Sequence, residues 1–493
     1  MLLLGIDIGT SSIKVSVVDS ATQAAVASAQ YPDEENPILA PRPGWAEQSP
    51  EMWWAQVQQA ILLCNNSGAY NPADIAAVGI AYQMHGLVMI DKDQQLLRDS
   101  IIWCDSRAVE IGDKAFKKIG EKKCLSCLLN SPGNFTASKL GWVKENEPEI
   151  YDRIDKVMLP GDFIAMRLTG ETTTSVSALS EGIFYDFTTD RLSADVLKHF
   201  GFGNSLFPTI KPVFSSHGGL LKSVADQLKL KAGIPVSYKA GDQPNNALSL
   251  NVLNPGEVAA TAGTSGVIYG VSDKLAYDPK SRVNTFAHVN YTEKQKRFGV
   301  LLCINGTGKL YNWVKSIMGP VSYVQMNERA ALAPPGSHGL RILPFGNGVE
   351  RMLNNNKPIG GQMHNIDLNT HGKEDILRAS QEGIACSFRY GLDIMRSNGM
   401  NPSVIRAGKA NLFLSDLFAD IFVNATGVPV ELYQNDGSRG AALGAGIGAG
   451  VFKSPAEAFS KMKKIKVVEP KGNKFEPIYE DWKKVLERQL DHR

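Results

Sequence analysis

Four short stretches of this chain carry residue types whose spacing could do chemistry. GIDIGTSSIKV (5–15) sets Asp7 just ahead of Gly9-Thr10-Ser11, between two apolar runs. ATAGTSGVIYG (260–270) repeats the pattern as Gly263-Thr264-Ser265, about half the chain later. A tight turn between strands exposes successive backbone N–H groups, and Thr and Ser add hydroxyl donors, so each turn is a candidate anion concavity. One copy alone reads as an ordinary β-turn. Two copies on opposing domains can hold a polyphosphate between them. Neither fits GxxxxGK[ST] or GxGxxG, which excludes a Walker loop and a dinucleotide fold. Asp7 would repel phosphate directly, so its chemistry is to hold Mg²⁺ through water, with Lys14 along the same edge.

The third stretch is AGDQPNNAL (240–248), where a strand ends in Gly241-Asp242 before a helix. A carboxylate there is either a general base for a hydroxyl or a simple helix N-cap. The fourth, GIAYQMHGLVMI (79–90), puts Met84 and His85 at a bend between strands. An imidazole there can hydrogen-bond sugar hydroxyls while the thioether packs on a carbon skeleton. The same pair could equally be satisfied core residues.

The elements that must position these groups follow from periodicity. Residues 2–8, 13–19 and 23–30 predict a three-stranded meander, and 50–65 a helix capped by Ser49 with Pro50 at its first position. Two strands are expected across 76–91, broken at Gln83–Gly86, and helices at 105–120 and 139–154. A strand and helix start follow in 233–250, then two strands in 256–271 around the second knot. Helices are expected at 308–318, 373–398, 411–426, 439–450 and 475–491, with strands at 404–408 and 428–433. The repeated knot divides the chain into halves, 1–250 and 251–465, with 466–493 as a C-terminal helix folding back on the first half.

Length and composition agree with such a protein. The chain has 493 residues, 43% hydrophobic and 21% charged, which calls for more than one domain and is ordinary for a globular enzyme. Net charge is +2 with no clustered Lys/Arg tract, so a nucleic-acid partner is not expected. No apolar run is long enough to span a bilayer, and the N-terminal run is broken by Asp7 and lacks a basic leader, so neither membrane partner nor signal peptide is expected. Of six cysteines only Cys124 and Cys127 have redox or metal spacing, without a second pair for zinc. Free thiols and a cytoplasmic location are the expectation.

Taken together the motifs resemble the FGGY carbohydrate kinases, relatives of actin and hexokinase, over nearly the whole chain. Beside the two knots, WAEQSPEMWW (45–54), IWCDSRA (102–108), LPGDFIAMRLTGE (159–171), AGDQPNNAL and DGSRGAALGAG (436–446) carry the likeness. The resemblance implies an α/β fold of two ribonuclease-H-like domains with an ATP and sugar cleft between them. It implies ATP and Mg²⁺, the latter at Asp7, and phosphate contacts from Gly9, Thr10, Ser11, Lys14, Gly263, Thr264 and Ser265. It assigns Asp242 as the base, with Gln243, Met84, His85 and Trp103 at the sugar and Asp105 or Arg107 bracing the pocket. Gly408 and Asn411 would line the adenine site.

Gln-Met-His-Gly matches the members that phosphorylate xylulose, so the expected reaction is D-xylulose to D-xylulose 5-phosphate. The alternatives are another ketose or polyol (ribulose, fuculose, glycerol), or a non-catalytic actin-like ATP switch. A homodimer is one option for its assembly. Arg406, Ala407, Pro244 and Ser175 depart from the family pattern and bear on nucleotide or sugar preference.

Overall fold

The structure, a computed structural model, describes residues 1–354 and 357–491, so 355–356 and 492–493 of the expected segments lie outside it. Leu2–Ile8, Ile13–Asp19 and Ala25–Tyr31 form the expected antiparallel meander. Ile75–Tyr82 and then Val236–Gly241 add in parallel on the other side, completing a five-stranded sheet. Alternation sorts the side chains to two faces. Leu4, Ile6 and Ile8 join one core with Trp53, Val57 and Ile61 of the Pro50–Asn65 helix. That helix is capped by Ser49, whose hydroxyl accepts from the Met52 amide.

The opposite face is covered from the far end of the chain. The Gly437–Gly448 helix lies directly on it, with Leu3, Ala77 and Ala81 packed against Ala441, Ala442 and Ala445. Small residues make this approach close enough that a Cβ on Gly5 would sit 1.8 Å from the Ser438 carbonyl. The end of the chain thereby brings its helix terminus to the first phosphate-loop candidate.

The second sheet has seven strands. Glu257–Ala262 is its centre, antiparallel to Gly266–Ser272 and parallel to Val404–Gly408, which in turn pairs in parallel with Val430–Tyr433. The shared plan of an antiparallel hairpin extended by parallel strands makes both halves ribonuclease-H-like. The long Lys373–Ser397 helix packs on the second half.

Some expectations need correction. The last helix, Glu476–Asp491, does not fold back on the first half; Tyr479 and Trp482 are buried in the second core, and Trp482 Nε1 donates to the Ile342 carbonyl at 2.8 Å. The helix expected from 105 begins only at Val109, because Asp105 is taken up by a buried ion pair. The helix expected over 139–154 is broken into Thr136–Asn146 and Pro148–Tyr151, since Pro148 starts a new turn rather than continuing the old one. Asn284–Ala287 and Phe298–Ile304, two strands of the second sheet, were not read from the sequence.

Candidate active site

Both Gly-Thr-Ser turns have the same polarity. In the first, the Thr10 carbonyl accepts from Gln48 Nε2 at 2.8 Å, that of Ser11 from the Asn36 amide at 2.8 Å, and that of Ser12 from the Gly9 amide at 3.1 Å. In the second, the Gly263 carbonyl accepts from the Gly308 amide at 2.9 Å and that of Thr264 from the Lys309 amide at 3.0 Å. The amides of Thr10, Ser11, Ser12, Gly263, Thr264 and Ser265 have no protein acceptor among the described residues. Carbonyls tied back and amides left open make each turn a donor-rich concavity suited to an anion. The Thr10 hydroxyl is engaged: it donates to Gln83 Oε1 at 3.2 Å and accepts from Trp103 Nε1 at 3.0 Å. Thr264 and Ser11 are exposed. Lys14 stands directly across the hairpin from Asp7.

Three carboxylates converge on the junction of the halves. Asp7 meets the N-terminus of the Gly437–Gly448 helix so closely that a Cβ on Gly437 would lie 2.2 Å from its Oδ2. Asp436 caps that helix by accepting from the Arg439 amide at 3.1 Å. Burial, and then the charge of Asp436, push Asp7 up to about 6. Asp242 opens the Asp242–Ser249 helix, and burial followed by the charge of Asp7 pushes it up to about 7. The capping reading of Asp242 does not hold: Gly241 occupies the N-cap position, and no side chain caps this helix. Gln243 turns its amide toward the Asp242 carboxylate, opposing the rise. Pro244 falls in the first turn, where a helix needs no N–H, so it is accommodated without strain.

The sugar-side residues gather at the bend after Ile75–Tyr82. His85 is half-buried at φ +63°, edge-on to Phe135 at 4.8 Å and tilted against Phe286 at 5.5 Å. Its Nδ1–H donates to the Glu181 carbonyl at 3.2 Å, which fixes the tautomer and leaves Nε2 as an acceptor with no protein partner among the described residues. Burial and the nearby Lys139 ammonium hold this imidazole down at about 3, so it is neutral. Met84 is only 5% exposed and packs beneath the strand end ahead of Asp242, 2.6 Å from where a Cβ on Gly241 would stand. Trp103 is 53% exposed and reaches the first phosphate turn through Thr10. Gln83 ties the two sites together, donating to Gln48 Oε1 at 3.1 Å.

Asp105 and Arg107 both brace. Asp105 accepts from the Ala46 amide at 2.6 Å and from Arg107 Nη2 at 2.7 Å, while Arg107 also pairs with Glu47 and stacks 3.8 Å over Trp45. Arg406 is structural, paired with Glu257 and Glu431 and donating to the Asn251 carbonyl. Ser175 caps the Val176–Glu181 helix, a role Asp fills equally well. Asn411, at φ +53°, borders the second turn: its Nδ2 lies 3.4 Å from a Cβ position on Gly263. Gly408 ends the Val404–Gly408 strand beside Asn435.

Sequence reasoning missed three residues. Glu181 and Lys139 are buried around His85, with burial pushing Glu181 well up and holding Lys139 down at about 7. Arg351 comes from the second half, bonded to Asn284 with its guanidinium 5.7 Å from the Phe135 ring. None of the three segments shows a motif, so no sequence signal pointed to them.

Comparison with known proteins bears on the family and the fold. Residues 2–249 match the N-terminal domain of the FGGY family of carbohydrate kinases, and 258–451 its C-terminal domain. The xylulose kinase of Escherichia coli (strain K12) is 28% identical over 464 residues, spanning 94% of this chain and 92% of the relative. That of Bacillus subtilis (strain 168) is 30% identical over 468 residues, spanning 92% and 90%. Among solved structures, a gluconate kinase from Lactobacillus acidophilus superposes with a TM-score of 0.89 at 21% identity, covering 99% of this chain and 98% of its own; at that identity the likeness concerns the fold. Among the described residues no helix is long and apolar enough to cross a membrane. Two ribonuclease-H-like halves, each with a donor-rich Gly-Thr-Ser turn, and matching family domains lead to one conclusion: the chain belongs to the FGGY family of carbohydrate kinases, phosphotransferases that take ATP as phosphate donor.

Proposed function

We propose that the chain phosphorylates a ketopentose, D-xylulose to D-xylulose 5-phosphate, with Asp242 as the base. One observation carries the reading: Asp242 stands at the head of its helix between the Asp7 junction and the Met84–His85 bend, joining the phosphate side to the sugar side. A base near pH 7 is well matched to taking a hydroxyl proton as the oxygen attacks a phosphoryl group. His85 Nε2 accepts from a sugar hydroxyl, and Gln243 and Trp103 border the same space. The open amides of the two turns receive the polyphosphate, and Gly408 and Asn411 border the adenosine.

The residues present fit Mg²⁺. Asp7 and Asp436 crowd one another, a repulsion that a cation relieves. Among the described residues no three His, Cys, Asp or Glu side chains are placed to hold a metal ion by themselves, so water and phosphate would have to supply the ion's other ligands. Asp7 would hold it, and the ion would neutralise charge on the phosphates. All six cysteines are free thiols, which fits a cytoplasmic enzyme.

Arg351 favours a second reading, a sugar acid. Its guanidinium faces the Phe135–His85 side of the cleft, where a carboxylate would find a partner. Sugar-dependent ADP release by the purified chain over D-xylulose, D-ribulose, L-fuculose, glycerol and D-gluconate separates these substrates. Highest kcat/KM with D-xylulose is expected. Highest kcat/KM with D-gluconate would transfer the assignment to the sugar acid, and equal ADP release with and without every sugar would overturn both.

A further inference from the structure

The bend carrying His85 is gripped from both sides by buried ionisable side chains that the phosphate chemistry does not use. Glu181 Oε1 accepts from the His85 amide at 3.0 Å, and the Glu181 carbonyl accepts from His85 Nδ1 at 3.2 Å. From the Thr136–Asn146 helix, Lys139 Nζ donates to the His85 carbonyl at 2.8 Å and to the Ile102 carbonyl at 2.9 Å. Ile102 immediately precedes Trp103. The amide, the carbonyl and one ring nitrogen of His85 are therefore held, leaving Nε2 for a ligand.

Such an arrangement is costly as mere packing. Lys139 is 0% exposed and Glu181 1%, and a buried ionisable group destabilises a fold unless hydrogen bonds and countercharge compensate it. Well-packed apolar side chains of similar volume often stabilise as well or better. Instead, the Lys139 ammonium bridges the backbone of the His85 and Trp103 turns. His85 is also kept at positive φ, a conformation rare for residues with a Cβ that persists only when the surroundings over-determine it. Glu181 Oε2 lies 2.8 Å from where a Cβ on Gly241 would stand, so its carboxyl abuts the backbone just before Asp242.

We infer that Lys139 and Glu181 are positioning residues of the sugar pocket, fixing the His85 bend and the Ile102–Trp103 backbone against the strand end before Asp242 so that His85 Nε2 meets a sugar hydroxyl other than the one Asp242 deprotonates. This rests on the sugar-kinase reading, but not on which sugar is the substrate.

The test is steady-state kinetics of the full chain with Lys139→Met, Glu181→Met, Glu181→Asp and Glu181→Gln, varying ATP and the sugar that the unaltered chain prefers. Loss of a hydrogen bond from or to such a group corresponds to about tenfold or more. Both Met variants and Glu181→Asp, which withdraws the carboxyl from the His85 amide, are expected to raise sugar KM by that order, with ATP KM within about twofold. Glu181→Gln keeps a carbonyl acceptor and is expected to rescue sugar KM. Sugar and ATP KM rising together, a lowered melting temperature with sugar KM intact, or Glu181→Gln as impaired as Glu181→Met would each overturn the inference. If the Met variants do not fold, Glu181→Asp against Glu181→Gln decides. An unaltered chain that phosphorylates no sugar overturns the kinase reading itself, and the inference with it, before any variant is compared.

Discussion

His85 presents a single free nitrogen to the cleft because protein groups take its amide, carbonyl and Nδ1. Removing that acceptor leaves a buried sugar hydroxyl unsatisfied, roughly 1–3 kcal/mol, or about 5- to 150-fold in kcat/KM. His85→Ala is expected to lose ketose efficiency by that order, through sugar KM rather than ATP KM. Intact ketose kinetics with a lowered melting temperature would make it a core residue instead. The same environment sets the pH profile. With His85 held at about 3, the imidazole stays neutral through the ordinary assay range. Asp242, pushed up to about 7, titrates within it, as do Asp7 at about 6 and Lys139 at about 7. Protonation of Asp242 removes the base, so sugar kcat/KM of the free enzyme should fall below about pH 7, by about tenfold per unit or more. A profile flat down to pH 5 would remove Asp242 as the base.

Among the elements, the strands and helices that carry the site were legible because each has a strong local signal. Leu2–Ile8 and Ile13–Asp19 are short apolar runs on either side of a Gly turn, and Ser49-Pro50 marks a helix start. What surrounds His85 was not legible. Glu181 sits on a six-residue helix and Lys139 inside a helix of ordinary pattern, and their role depends on packing across 96 and 54 residues of sequence. The turns also differ in a way their shared spelling conceals. The Thr10 hydroxyl links to Trp103 and Gln83, whereas Thr264 is exposed with no hydroxyl partner among the described residues. Thr264→Val should therefore raise ATP KM, by about tenfold if one charged hydrogen bond is lost, and spare sugar KM. Thr10→Val should raise both. Equal, ATP-only effects from the two would mean that the Thr10 bridge does not couple the sites.

For the whole molecule, the chain order of domains hides a crossing: the Gly437–Gly448 helix returns to cover the first sheet and brings Asp436 to Asp7. Placing carboxylates together at this junction has a thermodynamic consequence. Asp7 and Asp242 bind protons more tightly when folded, at about 6 and about 7, than free carboxylates do. Their stabilisation is fully present below about pH 4, where the unfolded groups are also protonated, and is lost as pH rises through those folded values. Without nucleotide, Asp242→Asn should melt above the unaltered chain at pH 8 and not above it at pH 4. A melting difference independent of pH would place Asp242 outside the strained cluster. Closure of the two halves over the bound sugar would exclude water and limit futile ATP hydrolysis.

The most direct test of the central claim is ADP release with D-xylulose and Mg²⁺-ATP by the unaltered chain and by Asp242→Asn, with nucleotide binding measured alongside. The account predicts sugar-dependent release by the former, and in the variant a kcat lowered by about 10²- to 10⁴-fold with nucleotide binding retained. An Asn variant that turns over at near the normal rate would contradict it.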